Sequence, residues 1–402
     1  MASIQVLAFD LGASNGRAIV ADYNDGLITL HEVHRFTNDP VTLNNFIYWD
    51  FPRLYHELKT SLVVAKNLGF NVQSVGIDSW GVDYGLLDAD GELISNPVHY
   101  RDKRAALGME KLLNMYGVDE LKKKTGMDCV SFNTVNQLIN DRLLKKNIGI
   151  SMLNIPDLFN YFLTGIQASE FSMVTITQLY DYTTSNWDLN WIDELKLPRR
   201  IFNKIIPSGT ILGDVKNTII TELSINPLKV VSVTSHDTGA AIRAIPTAKE
   251  DFLFIATGTW IIVGANSKQM IMNEDVMAYD LTNEGSKYPN VNLLKNHVGL
   301  WILQEAKHYW IKEGIDIDYP EMIDQAEAVT IDSYIDIMDT RFFGHGDMPS
   351  KVMAYCSETN QRVPCSIGEI VKVIEQSLAR QIATTLSHLE IAIGKKYDEV
   401  HM

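Results

Sequence analysis

The chain is short of positive charge. Its 402 residues carry 35 Lys and Arg against 50 Asp and Glu, a net charge of −15. So acidic a balance argues against nucleic acid or an anionic membrane as the main partner. Any phosphate site must then be local, built from backbone N–H groups and a few cations such as Arg17. Cysteine is equally scarce: Cys129, Cys356 and Cys365 are too few for a disulfide framework and show no metal-ligand spacing. Cys356 and Cys365 could pair, but free thiols in a reducing cytoplasm are the expectation. No uninterrupted apolar run reaches membrane length, since 252–264 is broken by Thr257, Gly258 and Thr259. The N-terminus opens as a strand, without a basic segment leading into an apolar one, so a cytoplasmic protein is expected. The two commoner phosphate loops are also missing: there is no G-x-x-x-x-G-K-[ST] and no G-x-G-x-x-G after a strand.

What is present is an ordinary globular balance, 46% hydrophobic and 21% charged, over a length that suits two or three domains. β-type runs at 4–10, 17–23 and 27–36 open the chain, the last two joined across Asn24-Asp25-Gly26. A helix is expected over 52–67, then strands at 72–78 and 82–88. Residues 105–165 read as mostly helical, with breaks at Gly117, Gly126 and Gly149, and 186–228 as irregular. An opening meander followed by alternating elements predicts a mixed-sheet α/β domain. A second strand system begins at 252–264, which places a domain boundary near Pro246 and two domains at 1–246 and 247–402. Helices are expected at 299–313 and 366–393, the latter started by a capping box of Ser366 and Glu369 and ended by Gly394.

Four short runs carry chemistry. In the first, an apolar strand ends on Asp10, and a small-residue turn of Gly12, Ala13, Ser14, Asn15 and Gly16 follows before Arg17 and a second strand. Such a turn suits an anion-binding nest, with the carboxylate beside a hydrated cation; it equally suits a plain hairpin with a buried or capping Asp. In the second, Asp78-Ser79-Trp80-Gly81-Val82-Asp83, Gly81 would let the backbone meet a small polyol and Trp80 would offer it an apolar face; the alternative is a strand-end corner with a core Trp. Nearby, Tyr100-Arg101-Asp102 reads in isolation as a surface ion pair. In the third, Ser235-His236-Asp237-Thr238-Gly239 follows a strand at 230–233 and starts a helix. Asp237 there suits a general base or a helix cap, and His236 a sugar hydrogen bond or a satisfied core histidine. The fourth, Thr257-Gly258-Thr259-Trp260, is a turn able to face a terminal phosphate, or a plain hairpin corner.

Taken together and in this order, these runs resemble the FGGY carbohydrate kinases. Further matches are Phe132-Asn133-Thr134, Leu163-Thr164-Gly165, Thr177-Gln178-Leu179, Thr282-Asn283-Glu284-Gly285, Leu294-Lys295-Asn296 and Gly299-Leu300-Trp301. The similarity runs from residue 4 to about 313 and weakens beyond. The Trp-Gly-Val-Asp corner favours the branch acting on L-rhamnulose over the xylulose and glycerol kinases. The resemblance implies two ribonuclease H-like domains of the actin/hexokinase type flanking a cleft, with ATP and Mg²⁺ as cofactors. It implies that Ala13, Ser14, Asn15, Gly16 and Arg17 contact ATP phosphates and that Asp10 lies near Mg²⁺. It further implies that Gly81, His236, Thr238 and Asn296 hold the ketose with Asp237 as the base, and that Thr259 and Gln304 contact the nucleotide. The expected reaction is ATP-dependent phosphorylation of L-rhamnulose at O1, by a monomer or homodimer. The family continues past residue 402 with a strand, a glycine-rich adenosine turn and further helices. The second domain is therefore expected to be incomplete, leaving as alternatives a catalytically impaired fragment that keeps sugar binding, or a kinase for a related ketose.

Overall fold

The computed structural model describes residues 3–402, which cluster into two compact units. The first comprises the described residues up to 247 with the segments 268–272 and 282–292; the second comprises 248–267, 273–281 and 293–402.

The first unit is built on a six-stranded mixed sheet. Its strands lie in the order Thr210–Asp214, Lys229–Ser232, Ser74–Ser79, Ile4–Leu11, Asn15–Asn24 and Leu27–Thr37. The three central strands, 229–232, 74–79 and 4–11, are parallel; the flanking pairs are antiparallel. Period-two alternation sets the faces. Leu7, Phe9 and Leu11 are buried on one side of their strand and Val75 and Ile77 on the matching side of the next. Over that face pack the helices Phe51–Asn67 and Ile155–Thr164. The first of these is capped by Asp50, whose carboxylate accepts the Arg53 N–H at 3.3 Å, and it buries Phe51, Leu54, Leu58, Leu62 and Ala65 at helical spacing.

Several expectations change here. The strand read at 82–88 covers only Tyr84–Leu87, because Trp80 to Asp83 form a corner in which Val82 has φ 68°. The mostly helical 105–165 also contains the strand Ser151–Asn154, paired with Tyr84–Leu87. The irregular 186–228 supplies the edge strand Thr210–Asp214 and the helix Asn217–Leu223. Asp102 is no surface ion pair: it is buried, caps the helix Lys103–Tyr116 through the Arg104 N–H at 2.9 Å, and accepts the Ile47 N–H at 3.1 Å.

In the second unit the neighbouring strands run Val291–Val298 (from residue 293 on), Trp260–Ser267, Leu253–Thr257 and Val400–His401, the last pairing parallel with Leu253 and Phe254. The helix Ile367–Ile393 packs on this sheet and buries Ile370, Val371, Ile374, Leu378 and Leu389. Its capping box is only half formed. Ser366 Oγ accepts the Glu369 N–H at 3.2 Å, but the Glu369 carboxylate reaches past Ser366 to the Cys365 N–H at 2.8 Å and pairs with Arg362. Arg362 pulls it there, since a charged partner outbids a second backbone amide. All three cysteines are free thiols.

Candidate active site

The parallel register places Asp10 opposite Asp78. Both fall on the face that the core residues leave, so two carboxylates share one strand-end position. The third neighbouring strand adds another, because the segment after it continues the pairing: the Ser79 N–H donates to Ser235 O at 2.9 Å and Ser79 bridges His236. Asp237 follows as the first residue of the helix Asp237–Arg243, whose cap is His236. Burial first, then the Asp10 and Asp237 charges, hold the Asp78 carboxyl well above the usual carboxylate range. Asp237 is also raised, chiefly by burial, against the pull of the His236 ring and the Thr238 N–H, which donates to its Oδ1 at 2.6 Å.

His236 sits between two acids. Its Nε2 lies 3.5 Å from Asp237 Oδ1 and its Nδ1 lies 3.6 Å from Glu284 Oε2. Gly81 lines the same spot: a Cβ there would meet Ile176 Cδ1 at 2.4 Å and His236 Nε2 at 3.2 Å. The chain approaches His236 closely only because that side chain is missing. Trp80 does not face this space. It is buried, packs against Trp49 with ring centroids 4.1 Å apart and planes inclined at 37°, and gives its indole N–H to Asp83 at 3.1 Å. Asp83 is the hub of the corner and also accepts from Trp49 at 2.6 Å, Gln137 at 2.9 Å and the Tyr100 N–H at 3.1 Å. Burial pushes its carboxyl up to about 6 against these donors.

The 12–17 turn is tight and clamped. The Gly12 N–H donates to Asn15 O at 2.9 Å, and Asn38 closes the turn from outside, its Nδ2 to Gly12 O at 2.9 Å and its N–H to Ser14 O at 2.9 Å. Gly16 is pressed on the Phe36 ring, which a Cβ would strike at 2.2 Å. The amides of Ala13 and Ser14 donate to no group among the described residues, so the turn presents N–H groups outward. Arg17 Nε donates to Asp10 Oδ2 at 2.7 Å with both side chains partly exposed.

The second unit carries its own turn. Gly258 and Thr259 join the strands 253–257 and 260–267, and their carbonyls accept the N–H groups of Leu300 at 2.9 Å and Gly299 at 3.0 Å, just ahead of the helix Trp301–Lys312. Thr259 Oγ1 lies 3.4 Å from Gln304 Oε1, one turn into that helix. Asn296 is exposed on the strand Val291–Val298.

The N-terminal domain of the FGGY family of carbohydrate kinases matches residues 5–243. The chain belongs to the FGGY carbohydrate kinases. It is 35% identical over 389 residues to the rhamnulokinase of Oceanobacillus iheyensis, covering 96% of this chain and 81% of the relative. It is 32% identical over 400 residues to the rhamnulokinase of Enterococcus faecalis, covering 98% and 80%. The fold is that of the xylulose kinase of Lactobacillus acidophilus, with a TM-score of 0.79 at 14% identity over 96% of this chain and 78% of that one. The chain is thus a sugar kinase, an enzyme that binds a sugar and ATP and works with a divalent metal. No helix among the described residues is long and apolar enough to cross a membrane.

The donor set fits that metal. Among the described residues no group of three or more His, Cys, Asp or Glu forms a cage. A cation that keeps most of its waters and takes its remaining ligands from phosphates needs only one or two carboxylates. Asp10 and Asp78, opposite each other, could supply them, and a cation beside them would offset the burial and the neighbouring charges that raise Asp78. Sequence reasoning did not single out Asp78 and Glu284, which the structure places beside Asp10 and His236. Asp78 was legible in principle, since it ends an apolar strand as Asp10 does. Glu284 reaches His236 from 48 positions away, and no local pattern announces that.

Proposed function

We propose that this kinase transfers the γ-phosphate of ATP to O1 of L-rhamnulose, giving L-rhamnulose 1-phosphate. The observation that carries the reading is the junction at Asp237: a carboxylate on the first residue of a helix, beside the His236 imidazole, with the Gly81 backbone packed close against that ring. The sugar's identity is supported by the relatives named rhamnulokinase, which match nearly the whole chain at 32–35% identity.

Asp237 takes the proton of the 1-hydroxyl as its oxygen attacks the phosphate. The Thr238 N–H holds the carboxylate rotamer, so the accepting oxygen is in place before the sugar arrives. His236 and Thr238 hydrogen-bond the ketose, and Gly81 and Asn296 also hold it. The outward N–H groups of Ala13 and Ser14, with Asn15, Gly16 and Arg17, hold the transferring phosphate against its developing charge. Thr259 and Gln304 engage the nucleotide. Asp10, with Asp78, would hold Mg²⁺, which supplies charge neutralisation at the phosphates when bound. The protein works in the cytoplasm, a place its three free thiols suit.

The test is sugar-dependent ADP formation with L-rhamnulose beside L-xylulose, D-xylulose and glycerol, paired with calorimetric titration of each sugar. L-rhamnulose is expected to give the highest kcat/KM and the tightest binding. A higher kcat/KM for another ketose would reassign the substrate, and sugar binding without turnover would point to a chain that binds but does not transfer.

A further inference from the structure

Asp237 acts only if the backbone before it is held still, and what holds it lies outside the site. The short helix Phe171–Thr175 runs beneath the Ser235–His236 segment. Its cap, Glu170, is fully buried, and one carboxylate oxygen, Oε2, collects the N–H groups of Ser172 at 2.9 Å, Met173 at 3.4 Å and Ser235 at 3.2 Å, together with the Ser172 hydroxyl. The Ser172 oxygen in turn meets the N–H groups of Ser235 and His236, each at 3.1 Å. Amides can only donate, so the direction of this relay is forced. Ser172 must donate its O–H to Glu170, which leaves its lone pairs for the two amides. Without an acceptor at 170, the hydroxyl proton has no equivalent destination and competes with those amides for orientation.

The same helix reaches two further sides of the site. Thr175 Oγ1 accepts the Gly285 N–H at 2.7 Å, next to Glu284, and the following residue, Ile176, is the one that touches Gly81. We propose that Glu170 and Ser172 are positioning residues for phosphoryl transfer, fixing the Ser235–His236 backbone so that Asp237 meets the sugar hydroxyl. This inference rests on Asp237 being the general base. Neither residue touches the substrate; they act through the two amides.

The experiment is a set of steady-state measurements on the full chain with Ser172→Ala, Ser172→Thr, Glu170→Gln, Asp237→Asn and the double variant S172A/D237N. Ser172→Ala is expected to lower kcat by roughly 10- to 100-fold while the KM for ATP stays within about twofold, since misplacing a reacting group costs the transition state first. Ser172→Thr, which keeps the hydroxyl, should recover most of the loss. On the Asp237→Asn background, Ser172→Ala should cost less than about threefold more, because residues acting as a unit are not additive. If Ser172→Ala does not fold, Glu170→Gln carries the comparison: it keeps an acceptor oxygen but weakens it for the three N–H groups and the hydroxyl gathered there, with an expected drop of roughly tenfold. Activity of S172A or E170Q within threefold of the parent, no recovery in S172T, or losses that multiply with that of D237N would overturn the proposal. A D237N enzyme as active as the parent would remove the general-base reading itself. A large loss in D237N beside a silent S172A would remove only the positioning role.

Discussion

At Asp237, burial raises the proton affinity while the His236 ring and the Thr238 N–H draw it back down. A base must be deprotonated to work, so turnover should rise with pH as Asp237 loses its proton, with a midpoint above the ordinary aspartate value. Asp237→Asn keeps the shape and removes the base. The expected loss in kcat is roughly 10²–10⁴-fold, with sugar affinity largely retained and the acid limb of the pH profile gone. A variant within a few-fold of the parent, still showing that limb, would assign the proton to another group. Gly81 makes a second test. Gly81→Ala puts a methyl 3.2 Å from His236 Nε2 and displaces the flexible end of Ile176. The KM for the ketose should rise roughly tenfold with the KM for ATP unchanged, because only the sugar side is crowded. An ATP effect without a sugar effect would show that this corner serves the nucleotide.

Elements obey rules that single positions do not reveal. Gly108 lies inside the helix Lys103–Tyr116, where an isolated-helix argument makes Ala better by about 1 kcal/mol. The fold says the reverse: a Cβ there would sit 1.8 Å from the Asn136 carbonyl oxygen, on the adjoining helix Thr134–Leu138. Rigid backbone cannot yield as a side chain can, so Gly108→Ala should destabilise by about 2–3 kcal/mol in chemical denaturation. Equal or higher stability would mean that the two helices separate freely. The first two strands and the helices at 51–67 and 367–393 were legible because period two and period 3.6 were each sustained along them. The strands Ser151–Asn154 and Thr210–Asp214 were not. They are short, and each owes its existence to a partner far along the chain, Tyr84–Leu87 and Lys229–Ser232. The half-formed cap at Ser366 teaches the same point on a smaller scale, since Arg362 redirects a carboxylate that local pairing would have kept.

For the molecule as a whole, ligand binding and stability are linked. The residues assigned to the sugar other than Asn296 lie in the first unit. L-rhamnulose at 100 times its Kd should therefore stabilise that unit by about 2.7 kcal/mol, seen as an upward shift of its thermal transition without ATP present. Asp237→Asn should keep the shift. No shift at saturating sugar would remove this unit as the ketose-binding part. The net charge of −15 belongs to this scale as well: it makes anionic substrates depend on local N–H groups such as those of the 12–17 turn.

The sequence by itself determined the mixed α/β class, the order of the opening elements and the four chemistry-bearing runs. Each of these is written in contiguous residues, through periodicity, small-residue turns and a carboxylate at a strand end. Only the tertiary structure decided that Asp10, Asp78 and Asp237 crowd one another, that Trp80 belongs to the core, and that Glu170 and Ser172 support the Asp237 junction. Those facts arise from strand register and from a helix passing under a distant loop. Register and approach are set by the packing of the whole sheet, which no local pattern encodes.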